Sequence, residues 1–200
     1  MIKLKSIVKE IFDANLLENN NEIIIYCDMD GVLCDFDKQF EKLTNTPPKE
    51  FEANKGTKEF WNVILKEGEK FWTQMKPMPG FEDFKSELIS ISTDGRFKLK
   101  FLTSTSASQI LKNYPRQEAI DNIKNIEFGK RTWLQTHWSG PKTIIFSDSG
   151  KGKGKYATPN SILIDDLSPN VESFIAAGGS GIIFTNAQQA IDELKAKIKI

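Results

Sequence analysis

Residues 22–36 read EIIIYCDMDGVLCDF, and this stretch decides the fold. Ile23, Ile24, Ile25 and Tyr26 form a β-branched and aromatic run, the pattern of a strand buried on both faces of a parallel sheet. The run stops at Asp28, and Asp30 follows two residues later with Gly31 behind it. Two carboxylates at the mouth of a buried strand are costly to desolvate unless something positive sits between them. A divalent cation with a phosphate-bearing substrate supplies that, because hard cations take oxygen ligands. A turn in which the aspartates cap backbone groups is the other reading of a bare DxDG.

The chain after this strand alternates apolar runs with helical patterns. From Phe36 to Lys76 it reads as mostly helical, broken at Asn45-Thr46-Pro47-Pro48 and again near Gly56 and Gly68, with the large rings Trp61, Phe71 and Trp72 inside it. Pro79-Gly80 starts a helix through about Ile91. Phe97 to Leu102 (FKLKFL) reads as a second strand, ending in the hydroxyl cluster Thr103-Ser104-Thr105-Ser106. Hydroxyls and free N–H groups at a strand-to-helix junction suit a phosphate oxygen, or simply cap the next helix. Helices are expected over Gln117–Phe128 and again from Gly129 to about His137. Thr143–Phe146, Ser161–Ile164 and Gly181–Phe184 read as strands three, four and five, and Ala187–Ile200 as a closing helix.

Between strands three and four lies SDSGKGKGKYATPN. Its spacing excludes a P-loop: three residues separate Gly150 from Gly154, and Lys155 is followed by Tyr156 rather than Ser or Thr. A mobile glycine-rich loop still lets one ammonium approach a phosphate among crowded carboxylates. Strand four runs directly into Asp165-Asp166. Adjacent buried carboxylates repel and need a cation or a shared proton. Ser168 or Asn170 is expected to cap the helix that follows.

Bulk composition bounds the function. The 200 residues are 39% hydrophobic and 27% charged, with 27 Lys plus Arg against 27 Asp plus Glu, so no global field favours nucleic acid or an anionic membrane. Extended nucleic acid and membrane are therefore not expected partners. Cys27 and Cys34 flank the aspartates and read as reduced thiols of a cytoplasmic protein. The amino-terminal stretch carries Ile7, Val8, Ile11, Phe12 and Leu16 at helical spacing, interrupted by charges, so it reads as an amphipathic helix and not a signal peptide. It would pack against the sheet edge or form a homodimer contact.

DMDGVLCDF resembles the nucleophile motif of the haloacid dehalogenase-like (HAD) phosphohydrolases, in particular their 5'(3')-deoxyribonucleotidase branch. FLTST, K-Y-A-T-P-N-S-I-L-I-D-D and FWTQMKPMPGFEDF resemble that family's later motifs and the return from its cap. Four motifs in order over roughly residues 23 to 186 make this a specific likeness. It implies a three-layer α/β, Rossmann-like core with a mostly parallel five-stranded sheet (residues 23–35 and 77–200). A small helical cap would be inserted at 36–76, and an amino-terminal helix would cover 1–22. It further implies a Mg2+-dependent phosphatase of small phosphate esters, with a 5'-nucleotidase on (deoxy)nucleoside monophosphates as the leading expectation. The alternatives are another small phosphoester, a polynucleotide 3'-phosphate, or a non-catalytic phosphate-binding module. By the same likeness Asp28 is the nucleophile and Asp30 the acid/base. Asp28, Asp30 and Asp166 hold the metal, with Asp165 supporting. Thr103, Ser104, Lys155 and Lys130 bind phosphate, and Phe71 or Trp72 walls a base pocket. Lys151 and Lys153 are expected to be solvated.

Overall fold

A computed structural model of the chain describes residues 22–199; the expected amino-terminal helix lies outside the described residues. Strand β1 (Ile23–Cys27) is the centre of a five-stranded, all-parallel sheet. The other strands are β2 (Phe97–Ser104), β3 (Ile144–Ser147), β4 (Ser161–Asp165) and β5 (Ser180–Ile183), in the order β3-β2-β1-β4-β5. Alternation along β1 separates two layers. Ile25 and Cys27 join a large core with Leu99, Phe101, Ile162 and Ile164. Tyr26 joins a smaller one with Leu102, Leu163 and Phe174 on the other face. Apolar residues covered on both faces give the three-layer α/β architecture that the sequence predicts.

Four helices lie between β1 and β2: α1 (Phe36–Thr44), α2 (Pro48–Lys55), α3 (Thr57–Glu67) and α4 (Glu69–Thr73). The breaks fall where the sequence puts them, at Asn45 in the left-handed region and at Gly56 and Gly68 with positive φ. Then come α5 (Phe81–Ser92), α6 (Ala107–Asn113) and α7 (Arg116–His137). After β3 the chain makes a 3-10 helix (Lys151–Tyr156), and α8 (Ser168–Ala176) and α9 (Ala187–Ile198) complete it. No helix among the described residues is long and apolar enough to cross a membrane.

Three local expectations change. Helix α7 is continuous for 22 residues through Gly129, where two helices were expected. A Cβ at Gly129 would come within 2.7 Å of the Trp72 Cβ and 2.9 Å of the Glu69 carbonyl oxygen. The glycine is there so that α4 can lie against α7, at a helix-propensity cost of about 1 kcal/mol. Strand β2 extends past Leu102 because Thr103 and Ser104 pair with Phe146 and Ser147. Neither Ser168 nor Asn170 caps α8, which has no side-chain cap; Asn170 turns back towards Asp165 instead.

Candidate active site

Because β1 lies between β2 and β4, three carboxyl ends open side by side where the chain switches direction across the sheet, the usual crevice of open α/β folds. Cys27 pairs with Ile164, and the Asp28 amide donates to the Ile164 carbonyl at 2.9 Å. Register alone therefore sets Asp28 beside Asp165-Asp166, although 136 residues separate Asp28 from Asp165. One carboxylate oxygen from each of Asp28, Asp165 and Asp166 falls in a group spanning no more than 4.8 Å.

The turn after β1 is tightly wound. The Met29 carbonyl accepts from the amides of Leu33 (2.8 Å) and Cys34 (3.0 Å), and Asp28 Oδ1 accepts from the Met29 amide at 2.7 Å. Gly31 sits at φ +73°, and a Cβ there would overlap the Asp166 carboxylate. The glycine of DxDG thus serves both the turn and the approach of the β4 acid. Cys27 and Cys34 are free and fully buried. Burial, reinforced by the neighbouring aspartates, pushes both thiols well up, which keeps them protonated and unreactive.

Among the described residues, two buried lysines divide the acids between them. Lys153, 1% exposed, reaches Asp28 Oδ2 at 2.6 Å and Asp165 Oδ2 at 2.5 Å. The sequence reading gave this place to Lys155 and left Lys153 in solvent. Lys155 instead is half exposed, 3.8 Å from Asp148 and over the Tyr156 ring. In a 3-10 helix two residues are two-thirds of a turn, so when Lys153 faces inward Lys155 faces away. The loop packs closely on α8: a Cβ on Gly150 would overlap Asn170, and one on Gly154 would sit 3.1 Å from the Ser173 carbonyl. Burial lowers the proton affinity of Lys153, but Asp28 and Asp165 more than offset this, and the net shift is upward.

Lys130, on α7, is 0% exposed and donates to Asp30 Oδ2 (2.6 Å), Thr103 Oγ1 (2.9 Å) and the Ser104 carbonyl (2.7 Å), beneath the Trp72 ring. Thr103 is fully buried with its hydroxyl turned to Lys130, whereas Ser104 lines the cavity. Asp165 is spent internally: besides Lys153 it accepts from the Leu167 amide and from Asn170 Nδ2, each at 2.9 Å. Asp166 is left facing the cavity with no lysine of its own among the described residues. Burial, then the charges of Asp28 and Asp165, push its carboxyl up to about 8. Burial likewise raises Asp30, against the opposing pull of Lys130.

The cavity has a volume of about 380 Å3. Its floor is Asp28, Asp30, Lys153 and Asp166; Phe36, Phe60, Trp61 and Trp72 form an aromatic wall. Phe71, one of the two expected wall residues, is wholly buried beneath that wall, edge-on to Phe36 and Trp72. Phe36 and Phe60 went unnoticed in the sequence because one abuts the DxDG motif and the other looks like ordinary helix core.

No family model matches the sequence, and no curated protein matches it. Among solved structures 53 chains match. One is a haloacid dehalogenase-like hydrolase from Xanthomonas campestris, 9% identical with a TM-score of 0.47, covering 88% of this chain and 91% of that one. A HAD-hydrolase from Bacillus subtilis bound to magnesium is 14% identical with a TM-score of 0.45, covering 90% and 100%. A D,D-heptose 1,7-bisphosphate phosphatase from Burkholderia thailandensis is 8% identical with a TM-score of 0.41, covering 86% and 98%.

Proposed function

We propose that this chain is a Mg2+-dependent phosphomonoester hydrolase working through an aspartyl-phosphate on Asp28, with a nucleoside monophosphate as its substrate. The observation that carries the reading is the convergence of acids from β1 and β4 with Lys153 on the floor of one cavity.

The donor set fits the metal. Among the described residues, Asp28, Asp30, Asp165 and Asp166 face only Lys130 and Lys153, which with all four acids ionised leaves a formal charge of −2 and one carboxylate, Asp166, without a cation. An all-oxygen, doubly negative site suits a hard dication. Asp28, Asp166 and the Asp30 backbone carbonyl would hold Mg2+, which when bound offsets the repulsion between a carboxylate and an anionic ester.

The residues then divide the work. Asp28 attacks phosphorus, forming an Oδ–P bond as the ester P–O bond breaks. Asp30 gives its proton to the departing alkoxide, then takes one from the water that attacks the aspartyl-phosphate and frees inorganic phosphate. Lys153, with Ser104, stabilises the phosphoryl oxygens while they carry most charge. Asp165 anchors Lys153. Helices α1 to α4, read as a cap, keep bulk water from the reacting groups.

Support for a nucleotide comes from the aromatic wall above an anionic-ester floor, in a cavity within the usual range for a small molecule. The test is phosphate release from a panel of nucleoside monophosphates and simple phosphoesters, with and without Mg2+. Mg2+-dependent, nucleotide-selective release is expected. Equal release from all esters would remove the nucleotide, and none would leave a phosphate-binding module.

A further inference from the structure

We propose that Lys130 is a positioning residue that holds the Asp30 carboxylate for proton delivery and does not bind the phosphate. The inference rests on the hydrolase reading above and assigns a role to a second buried lysine that the phosphate chemistry leaves unused.

A lysine that grips a phosphoryl group needs at least one N–H free to point at it. Lys130 has none to spare. An ammonium carries three hydrogens, and three acceptors within 2.9 Å take them: Asp30 Oδ2, Thr103 Oγ1 and the Ser104 carbonyl. The fourth tetrahedral position of Nζ is its bond to Cε, and the Trp72 ring covers the ammonium with its centroid 4.7 Å from Nζ. Lys130 is 0% exposed, and of the two buried lysines Lys153 lines the cavity while Lys130 does not.

These contacts suit a fixing role. Asp30 stands at the turn, 26% exposed, and its side chain would otherwise swing about two torsions. Lys130 pins Oδ2, leaving Oδ1, 3.7 Å from the Cys34 sulfur, to carry and deliver the proton. The other two hydrogen bonds fix Lys130 to the end of β2, and Trp72 closes over it from α4. Gly129, one residue earlier, brings α4 near enough for that contact. Positioning of this kind affects a step only in proportion to how much that step needs the proton.

That dependence gives a test that a phosphate ligand would fail. Alkyl esters leave as strongly basic alkoxides and need the Asp30 proton; p-nitrophenyl phosphate leaves as a stable phenolate and hardly needs it. Steady-state kinetics with Mg2+ would compare the wild-type full chain, Lys130→Met and Thr103→Val on a nucleoside 5'-monophosphate and on p-nitrophenyl phosphate. For Lys130→Met, kcat/KM on the nucleotide should fall about 10²-fold or more and on the aryl ester about tenfold less steeply; this quantity reports transfer of the phosphoryl group to Asp28 and leaves out the later hydrolysis of the aspartyl-phosphate, in which Asp30 serves both esters alike. Thr103→Val, which loosens Lys130 without touching Asp30, should lower the nucleotide-to-aryl kcat/KM ratio about fivefold. Equal losses of kcat/KM on both esters would overturn the positioning role. If a thermal melt shows Lys130→Met unfolded, an unchanged ratio in Thr103→Val overturns it alone. No release from either ester by the wild type would instead remove the hydrolase reading on which the role depends.

Discussion

The floor and the wall of the cavity are built on opposite plans. The floor and the layer just behind it are charges at or near strand ends held by directed contacts: Asp165 by Lys153, Leu167 and Asn170, Asp28 by Lys153 and the Met29 amide, and Asp30 by Lys130. The wall is a cluster of rings on helices α1, α3 and α4, held by shape, with Phe36 in ring contact with Phe40, Phe60, Phe71 and Trp72. Directed contacts between charges tolerate little change, since removing one partner leaves the other buried and unpaired. Ring packing is more forgiving and can be varied to suit different ligands. The floor is therefore suited to a fixed reaction and the wall to a changeable choice of substrate.

The sharpest way to break this contrast is at Asp28. Asp28→Asn keeps the shape and removes the nucleophile, so phosphate release should fall roughly 10⁴-fold or more while the thermal melt stays cooperative. Retained turnover would mean that the floor does not do the chemistry. Next is the pair Lys153 and Lys155. Lys153→Met strands Asp28 and Asp165 beside each other and should cost roughly 3–5 kcal/mol of stability along with most activity. Lys155→Met should change stability by no more than about 0.5 kcal/mol, since its pair is solvent-exposed. Urea unfolding and phosphate release on both variants would check this; equal effects would undo the assignment of Lys153.

That pair also shows where sequence legibility stops. The acids were readable because each follows an apolar run of β-branched residues, and a strand's end fixes where its next side chain points. The lysine was not. KGKGK offers three lysines at alternate positions, and choosing among them requires knowing that the loop winds as a 3-10 helix and docks on α8 through Gly150 and Gly154. The orientation of Thr103 was hidden for a related reason: strand pairing continues through Thr103 and Ser104, and the Thr103 hydroxyl meets Lys130. The helical breaks at Asn45, Gly56 and Gly68 were plain, whereas Gly129 looked like a break and is a contact. Local signals gave the elements; phase within a loop and packing between helices came only with tertiary structure.

A smaller effect should separate metal from protein. In the folded, metal-free chain the Asp166 carboxyl titrates at about 8, against 3.8 for the group in solvent. Its folded value is raised, so the metal-free fold loses stability as pH rises between those two values. The melting temperature without Mg2+ should decline across that window. Added Mg2+ should raise it more at pH 8 than at pH 5, and Asp166→Asn should flatten both trends. A metal-free melting temperature that rises steadily from pH 5 to 8 would contradict the isolation of this carboxylate.

The smallest expected effect is the one that tests the wall. Trp61 is half-buried, lines the cavity and meets Phe60 edge-on with centroids 5.6 Å apart, whereas Phe71 is buried beneath the wall. Trp61→Ala removes a surface on which a base could stack, an interaction of about 1–3 kcal/mol. It should raise KM for nucleotides about tenfold while leaving p-nitrophenyl phosphate within about twofold. Phe71→Leu touches no ligand; it should lower stability by about 1–2 kcal/mol through lost ring packing and leave the ratio between the two substrates alone. If instead Phe71→Leu changes the ratio and Trp61→Ala does not, selectivity is set by how the rings pack behind the surface, and the division of labour between floor and wall would have to be drawn one layer deeper.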